Sequence, residues 1–228
     1  MIGLALAAGI IYLFSTNLRM DSFRYIDTTI ALPIHKFFSP LFVLLFGVIL
    51  FKENLTTIEF IGIILGVLIP LLLINQTENG RQQNLKQGVL LITLSALLSG
   101  VGAVIYKLVT DLFSAVLFFA GIANIILALA SIFFHKSRGV IKDTKTMSLN
   151  SDLIKLVFIS GFVQMISFST LILSFAYSGS LAIVYTITSL YIIIPIVLSI
   201  IFYNEHWNTR KVVAIVLSIL AVVLMGVV

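Results

Sequence analysis

Eight runs of apolar residues, about 1–18, 29–51, 57–74, 87–106, 112–134, 153–176, 180–203 and 209–228, alternate with short polar breaks along this chain. Each is close to the ~17–25 residues that a helix needs to cross a bilayer, so the pattern predicts an all-α, polytopic membrane protein of about eight transmembrane helices. "NQTENGRQQNLKQ" (75–87) and "HKSRGVIKDTKTMSLNSD" (135–152) read as polar loops, while "KEN", "SGS" and "NEHWNTR" read as tight turns between antiparallel neighbours. The first run, "MIGLALAAGIIYLF", has no basic n-region and reads as a mature helix, not a signal peptide.

A longer period runs through this pattern. Sliding the chain so that residues 1–75 lie on 153–227, without a gap, puts Gly9 on Gly161, Ser15 on Ser167 and "SFRY" (22–25) on "SFAY" (174–177). The same register puts Glu53 on Glu205, Thr57 on Thr209 and Leu65 on Leu217. Leucine matches carry little weight in so apolar a chain, but the glycines, the SFxY tetrapeptide and the glutamate turn agree together. Five predicted helices separate the copies, an odd number, so the second copy enters the membrane upside down. The expectation is an inverted-repeat helical bundle, an arrangement in which secondary transporters bind substrate near mid-membrane between the repeats.

The segment "FSPLFVLLFGVILFKENLTTIEFIGIILGVLIPLLL" (38–73) is a Pro-containing helix that ends in a glutamate turn before a Gly-spaced final helix; it has an echo at 190–225 with "YNEHWNTRK" at the turn. This pattern resembles the EamA-type transporters of the drug/metabolite transporter superfamily. The resemblance implies ten-helix carriers built of two five-helix halves. On that reading residues 1–75 are the last three helices of a first repeat, 76–86 a polar linker, and 87–228 a complete second repeat. The first two helices of the family pattern have no counterpart, and Pro195 aligns with Val43 instead of Pro40. The expectation is therefore a fragment or shortened relative of a ten-helix carrier, the alternative being an eight-helix form that closes its cavity as a homodimer.

Composition adds mainly exclusions. With 60% hydrophobic and 10% charged residues and a mean hydropathy of +1.18, the chain has lipid as its solvent. No cysteine is present, which excludes disulfides, thiolate metal sites and a cysteine nucleophile. There is no G-x-S-x-G, H-E-x-x-H, P-loop or dinucleotide glycine pattern, and His35, His135 and His206 fall in different segments, so neither an enzyme, a metal nor a cofactor is expected. "NLT" (54–56) and "NQT" (75–77) match the glycosylation sequon but fall on opposite sides of the membrane, which favours chance. The net charge of +5 lies in the polar breaks, where it marks orientation in a cell membrane and not a nucleic-acid partner.

Candidate chemistry lies in polar residues within the spans, each costly unless it faces protein or a water-filled cavity. Ser160, Gln164, Ser167 and Ser174 share one helix face, as do Ser95, Ser99, Gly102 and Tyr106, and again Tyr185, Thr188, Pro195 and Ser199; Asn124 lies mid-helix. Small and hydroxyl residues also serve helix packing, whereas Gln164, Asn124 and Tyr185 are costlier to bury. Every Asp and Glu lies at a loop or span end, which weakens a cation/proton antiporter reading, and Glu53 and Glu205 are expected to satisfy backbone donors near the next helix start. Pro40 and Pro195 interrupt spans and are candidate hinges. Lys36, about 12 Å into its helix at ~1.5 Å per residue, shares a stripe with Pro33, Val43 and Gly47 and reads either as a snorkelling anchor or, with His35, as a countercharge for a carboxylate or phosphate. The candidate substrate residues are thus Lys36, His35, Ser99, Asn124, Gln164, Ser167, Tyr185 and Thr188. The function expected is a secondary transporter of a small polar metabolite such as an amino acid, with an assembly-dependent fragment and, more weakly, a membrane enzyme as alternatives.

Arg19, Arg24, Arg81, Lys86, Lys136, Arg138, Lys142, Lys145, Lys155, Arg210 and Lys211 flank one side of the predicted bundle and only Lys52 and Lys107 the other. The positive-inside rule makes the crowded side cytoplasmic and both termini external, whereas the resemblance implies cytoplasmic termini. The charge count is the stronger guide within this chain. A tag after Val228 should be accessible to an impermeant label in intact cells, and protection of that tag would reverse the assignment.

Overall fold

The computed structural model describes residues 2–73, 84–112, 116–137, 151–178, 180–194, 197–198 and 209–226. Helices α1 (Ile2–Ser22), α2 (Thr28–Leu50), α3 (Thr57–Leu72), α4 (Leu85–Leu112), α5 (Val116–Ser137), α6 (Ser151–Ser178), α7 (Leu181–Ser189) and α8 (Thr209–Gly226) follow one another, and α7 tightens into a 3₁₀ turn at Leu190–Ile192. No strand occurs among the described residues. Helices α1, α2, α4 and α8, together with Phe158–Tyr177 of α6, are long and apolar enough to cross a bilayer, and α3 is a shorter apolar helix. The protein is a multi-pass integral membrane protein of all-α class. The expected sites Pro195, Ser199, Glu205 and His206 lie outside the described residues.

Two compact units divide the chain within α1 and α4: residues 1–13 with 105–179, and residues 14–104 with 180–228. Each draws on both sequence copies, so compact packing does not follow the boundaries of the sequence repeat.

In the larger unit, α3 packs against α8, α2 and α7. Glycines make the closest approach: a Cβ on Gly62 would lie 2.9 Å from Met225 Cγ, and one on Gly66 would lie 2.7 Å from Thr186 Cγ2. The facing stripe of α8, Ala214, Ser218, Ala221 and Met225, is buried and mostly small. Small residues let backbones approach where lipid supplies no hydrophobic drive between helices.

The turn between α2 and α3 carries two separate caps. A capping box starts α3: Glu59 N–H donates to Thr56 Oγ1 at 3.3 Å, and Thr56 N–H donates to Glu59 Oε2 at 2.7 Å. Glu53, expected to serve this next helix, instead caps α7. Its carboxylate accepts from Ser180 Oγ at 3.1 Å, from Ala182 N–H at 3.2 Å and from Leu181 N–H. The correction has a physical reason: Glu59 already satisfies α3, while the partially positive start of α7 has free N–H donors and attracts a carboxylate. Two backbone features deliver Glu53 there. Lys52 adopts a left-handed φ of 52°, and Gly47 leaves room where a Cβ would sit 2.8 Å from Glu53 Oε2.

In the smaller unit, the first part of α1 meets α5 at Gly9, where a Cβ would lie 2.8 Å from Ile126 Cγ2. Phe119, Phe168, Ile172 and Phe175 are buried. Helix α4 runs on past the expected end near 106, because Lys107 is buried within it and pairs with Asp111 one turn later at 3.0 Å.

Hydrogen bonds to a charged acceptor are worth about 1.5–3 kcal/mol each, so Glu53→Ala should destabilise the detergent-solubilised protein by about 2–4 kcal/mol, with Glu53→Gln intermediate. Gly66→Val should cost about 1–3 kcal/mol through overpacking, and Val216→Leu on the exposed side of α8 should cost almost nothing. Thermal unfolding midpoints check all four.

Candidate functional site

The predicted substrate residues divide between the two units. His35, Lys36, Ser99, Tyr185 and Thr188 belong to the larger unit; Asn124, Gln164 and Ser167 belong to the smaller.

In the larger unit α2 and α7 run antiparallel in contact, as three linked levels show: Glu53 at the start of α7, Ser39 Oγ within 2.9 Å of Tyr185 Oη, and Lys36 Nζ 4.0 Å from the centre of the Tyr191 ring. Lys36 lies eight residues from the start of α2 and Tyr191 ten residues from the start of α7. At ~1.5 Å per residue these are depths of about 12 and 15 Å from opposite ends, which together nearly span a hydrocarbon core of ~30 Å. The ammonium therefore sits near mid-depth against an aromatic face, an interaction worth about 2 kcal/mol when desolvated. Pro40, buried in α2, supplies no N–H to the carbonyl of Lys36 four residues earlier. Pro195, by sequence, likewise has no N–H for the carbonyl of Tyr191, and the backbone there is the 3₁₀ turn.

A serine cluster joins α1, α4 and α2. Ser15 Oγ donates to the Ser95 carbonyl at 2.9 Å, and Ser95 Oγ donates to the Ser15 carbonyl at 2.8 Å. Ser15 Oγ also lies 2.8 Å from Ser99 Oγ, which lies 3.4 Å from His35 Nε2. Each hydroxyl can donate or accept here, and the tautomer of the His35 ring sets the direction of its bond to Ser99. His35 is buried at 4% exposure, and its Nδ1 has no partner among the described residues. Thr188, by contrast, donates to the Val184 carbonyl of its own helix at 2.7 Å.

In the smaller unit Asn124 and Gln164 line one small cavity of about 50 Å³ with Gly9, Tyr12, Tyr106, Ala123, Leu127 and Phe168. Its aromatic wall is edge-to-face, with Tyr106 and Phe168 centroids 4.9 Å apart and Tyr12 and Phe168 6.4 Å apart. Ser167 is exposed on α6 and is not among the lining residues. The volume suits about one water molecule, and the wall offers amide and phenol groups without a charge.

Sequence reasoning missed Ser15, Ser39 and Tyr191 as site residues. Two of them had a signal: the repeat register lays Tyr191 on Ser39, so a search for polar residues at matching positions could have found them as a pair. Ser15 and Arg19 are four residues apart on α1 and share a face, but no pattern in one sequence shows which helix that face meets. Among the described residues no group of three His, Asp or Glu could hold a metal ion.

Residues 86–227 match the model of the EamA-like transporter family. A solved crystal structure, 16% identical, superposes with a TM-score of 0.77 and is covered over 75% of its length by 97% of this chain. At that identity the likeness speaks for the helical fold alone. No similarity to a curated protein was found.

Interhelical hydrogen bonds in membrane proteins are worth about 0.6–1.7 kcal/mol each. Ser15→Ala, which removes the junction of the cluster, should therefore lower stability by about 1–3 kcal/mol. Thr188→Val, which breaks only a bond within one helix, should change it by less than about 0.5 kcal/mol. Equal midpoints for the two variants would deny the cluster its structural role.

Proposed function

Because this chain belongs to the EamA-like transporter family, we propose that it is a secondary carrier, not an enzyme, which moves a small polar metabolite across its membrane by alternating access. The observation that carries this reading is Lys36, an ammonium near mid-depth between α2 and α7. A charge at that depth is costly in a protein with only a structural role and is common on substrate pathways. Support also comes from the interruption of both flanking helices. Pro40 lies in α2, and α7 changes to a 3₁₀ turn beside Tyr191. Such breaks are tolerated where they border protein or a water-filled cavity, and they supply bends about which a span can open. On this reading Ser39, Tyr185 and Tyr191 complete the substrate surface, and the cluster of Ser15, Ser95 and Ser99 fixes His35 beside it.

Reconstitution tests the proposal. Vesicles that contain the purified chain should show saturable uptake of a transported metabolite. Pro40→Ala should insert and express normally while slowing flux several-fold. Lys36→Met should abolish flux, and Lys36→Arg should retain part of it. Normal flux in Lys36→Met would make the lysine a membrane anchor and remove it from the substrate site.

A further inference from the structure

An open groove borders the 3₁₀ turn that ends α7. Helices α7 and α8 both pack on α3, and Gly66 of α3 lies between them: a Cβ there would meet Leu190 Cδ1 at 3.8 Å and Ala221 Cβ at 3.9 Å. Ile187, Leu190, Tyr191 and Ile194 line the groove from one side and Ile219 and Val222 from the other, around a volume of about 380 Å³. From Ile187 to Ile194 it runs about 10 Å at ~1.5 Å per residue. The wall is almost wholly apolar, and its one serine, Ser218, donates its hydrogen to the Ile215 carbonyl at 2.7 Å. Tyr191 belongs to two environments. Its ring is 50% exposed and forms part of the groove wall, and the Lys36 ammonium lies 4.0 Å from the ring centre. The groove is thus one aromatic ring away from an ammonium. Among the described residues no carboxylate pairs with that ammonium: Asp21 pairs with Arg24, Asp111 with Lys107, and Glu53 and Glu59 serve as helix caps.

From this juxtaposition we infer that the groove and Lys36 form one site for a single-chain fatty carboxylate. Its tail lies along α7 and α8, and its carboxylate passes the edge of the Tyr191 ring to the ammonium. In a bilayer a tail alone gains little from such a groove, because lipid tails are as apolar as the residues that line it. The charge pair supplies the preference, since an ion taken out of water is costly until a countercharge meets it. A resident phospholipid does not provide that countercharge. Its headgroup stays at the membrane surface, about 15 Å from the middle of a ~30 Å hydrocarbon core, whereas Lys36 and Tyr191 meet near mid-depth. A fatty carboxylate combines the two requirements in one molecule, a tail for the groove and an anionic end that can travel below the headgroups. A short acid such as acetate has the charge but nothing to hold it in the groove.

The site goes beyond the carrier reading and is tested by binding, which needs no flux. The purified full chain in phosphatidylcholine nanodiscs is irradiated with a dodecanoate that carries a diazirine at its terminal carbon, and labelled residues are mapped by mass spectrometry. Labelling should fall on the groove residues of α7 and α8 and be displaced by unlabelled dodecanoate, with dodecanol at least tenfold weaker as a competitor and acetate without effect. Lys36→Met should weaken dodecanoate competition tenfold or more and leave that of dodecanol unchanged, and Lys36→Arg should recover part of the loss. Val222→Trp, which fills the groove from α8, should weaken both competitors. Should Lys36→Met fail to fold, the ratio of dodecanoate to dodecanol in the unaltered chain decides alone. Equal competition by the two, or unchanged dodecanoate affinity in Lys36→Met, overturns the inference. So does labelling spread evenly over the exposed residues of α6 as well, which would leave the groove to bulk lipid. Metabolite flux in vesicles without dodecanoate competition at the groove overturns this site alone; labelling confined to the groove in a chain that moves no metabolite supports it while removing the carrier reading.

Discussion

A backbone amide without a partner costs several kcal/mol in hydrocarbon, and the way this chain satisfies the start of α7 organises its larger unit. The donors at Ser180, Leu181 and Ala182 are met by a carboxylate from the far end of α2, Glu53. That contact fixes α2 and α7 as antiparallel neighbours and sets their register. The same two segments also meet at Ser39 with Tyr185 and at Lys36 with Tyr191. The left-handed Lys52 and the missing side chain of Gly47 are the local costs of that alignment.

The same economy explains where polar groups occur. Ser15, Ser95 and Ser99 satisfy one another across α1 and α4, so their hydroxyls do not face lipid. Thr170, Ser174 and Thr188 donate to carbonyls one turn back on their own helices, which makes them tolerable at the exposed surface. The groups that escape this closure are few. His35 Nδ1 and Thr186 Oγ1 are buried without a partner among the described residues, and Lys36 has an aromatic ring but no carboxylate.

Helix packing and chemistry use different residues within the same helices. Helix α3 contributes Gly62 and Gly66 to a close approach against α8 and α7, and its one titratable residue, Glu59, is spent in the capping box at its start. Helix α2 does the opposite: Pro33 and Pro40 weaken its backbone ladder around the positions that carry His35 and Lys36.

By itself, the sequence determined what short-range physics can write. The length of each apolar run, the polar breaks and the prolines specified where each helix starts to within a few residues, since a span in lipid admits little else, while the ends of α4 and α7 departed further from the apolar runs. The stripe through Pro33, Lys36, Val43 and Gly47 was legible because helical periodicity is a local property. Only the tertiary structure decided partners. Glu53 was assigned to the nearest helix start, yet it reaches one 128 residues away, because capping responds to whichever amides the fold brings close. Lys107 read as a flanking charge until Asp111 gave it a partner one turn on inside α4. The candidate site residues were picked one by one as costly side chains, and the fold sorted them into a charged group on α2 and α7 and an uncharged cavity at Asn124 and Gln164. Ser15 stayed invisible as a site residue because nothing in one sequence shows that its face meets Ser95 and Ser99 on a helix 80 residues away.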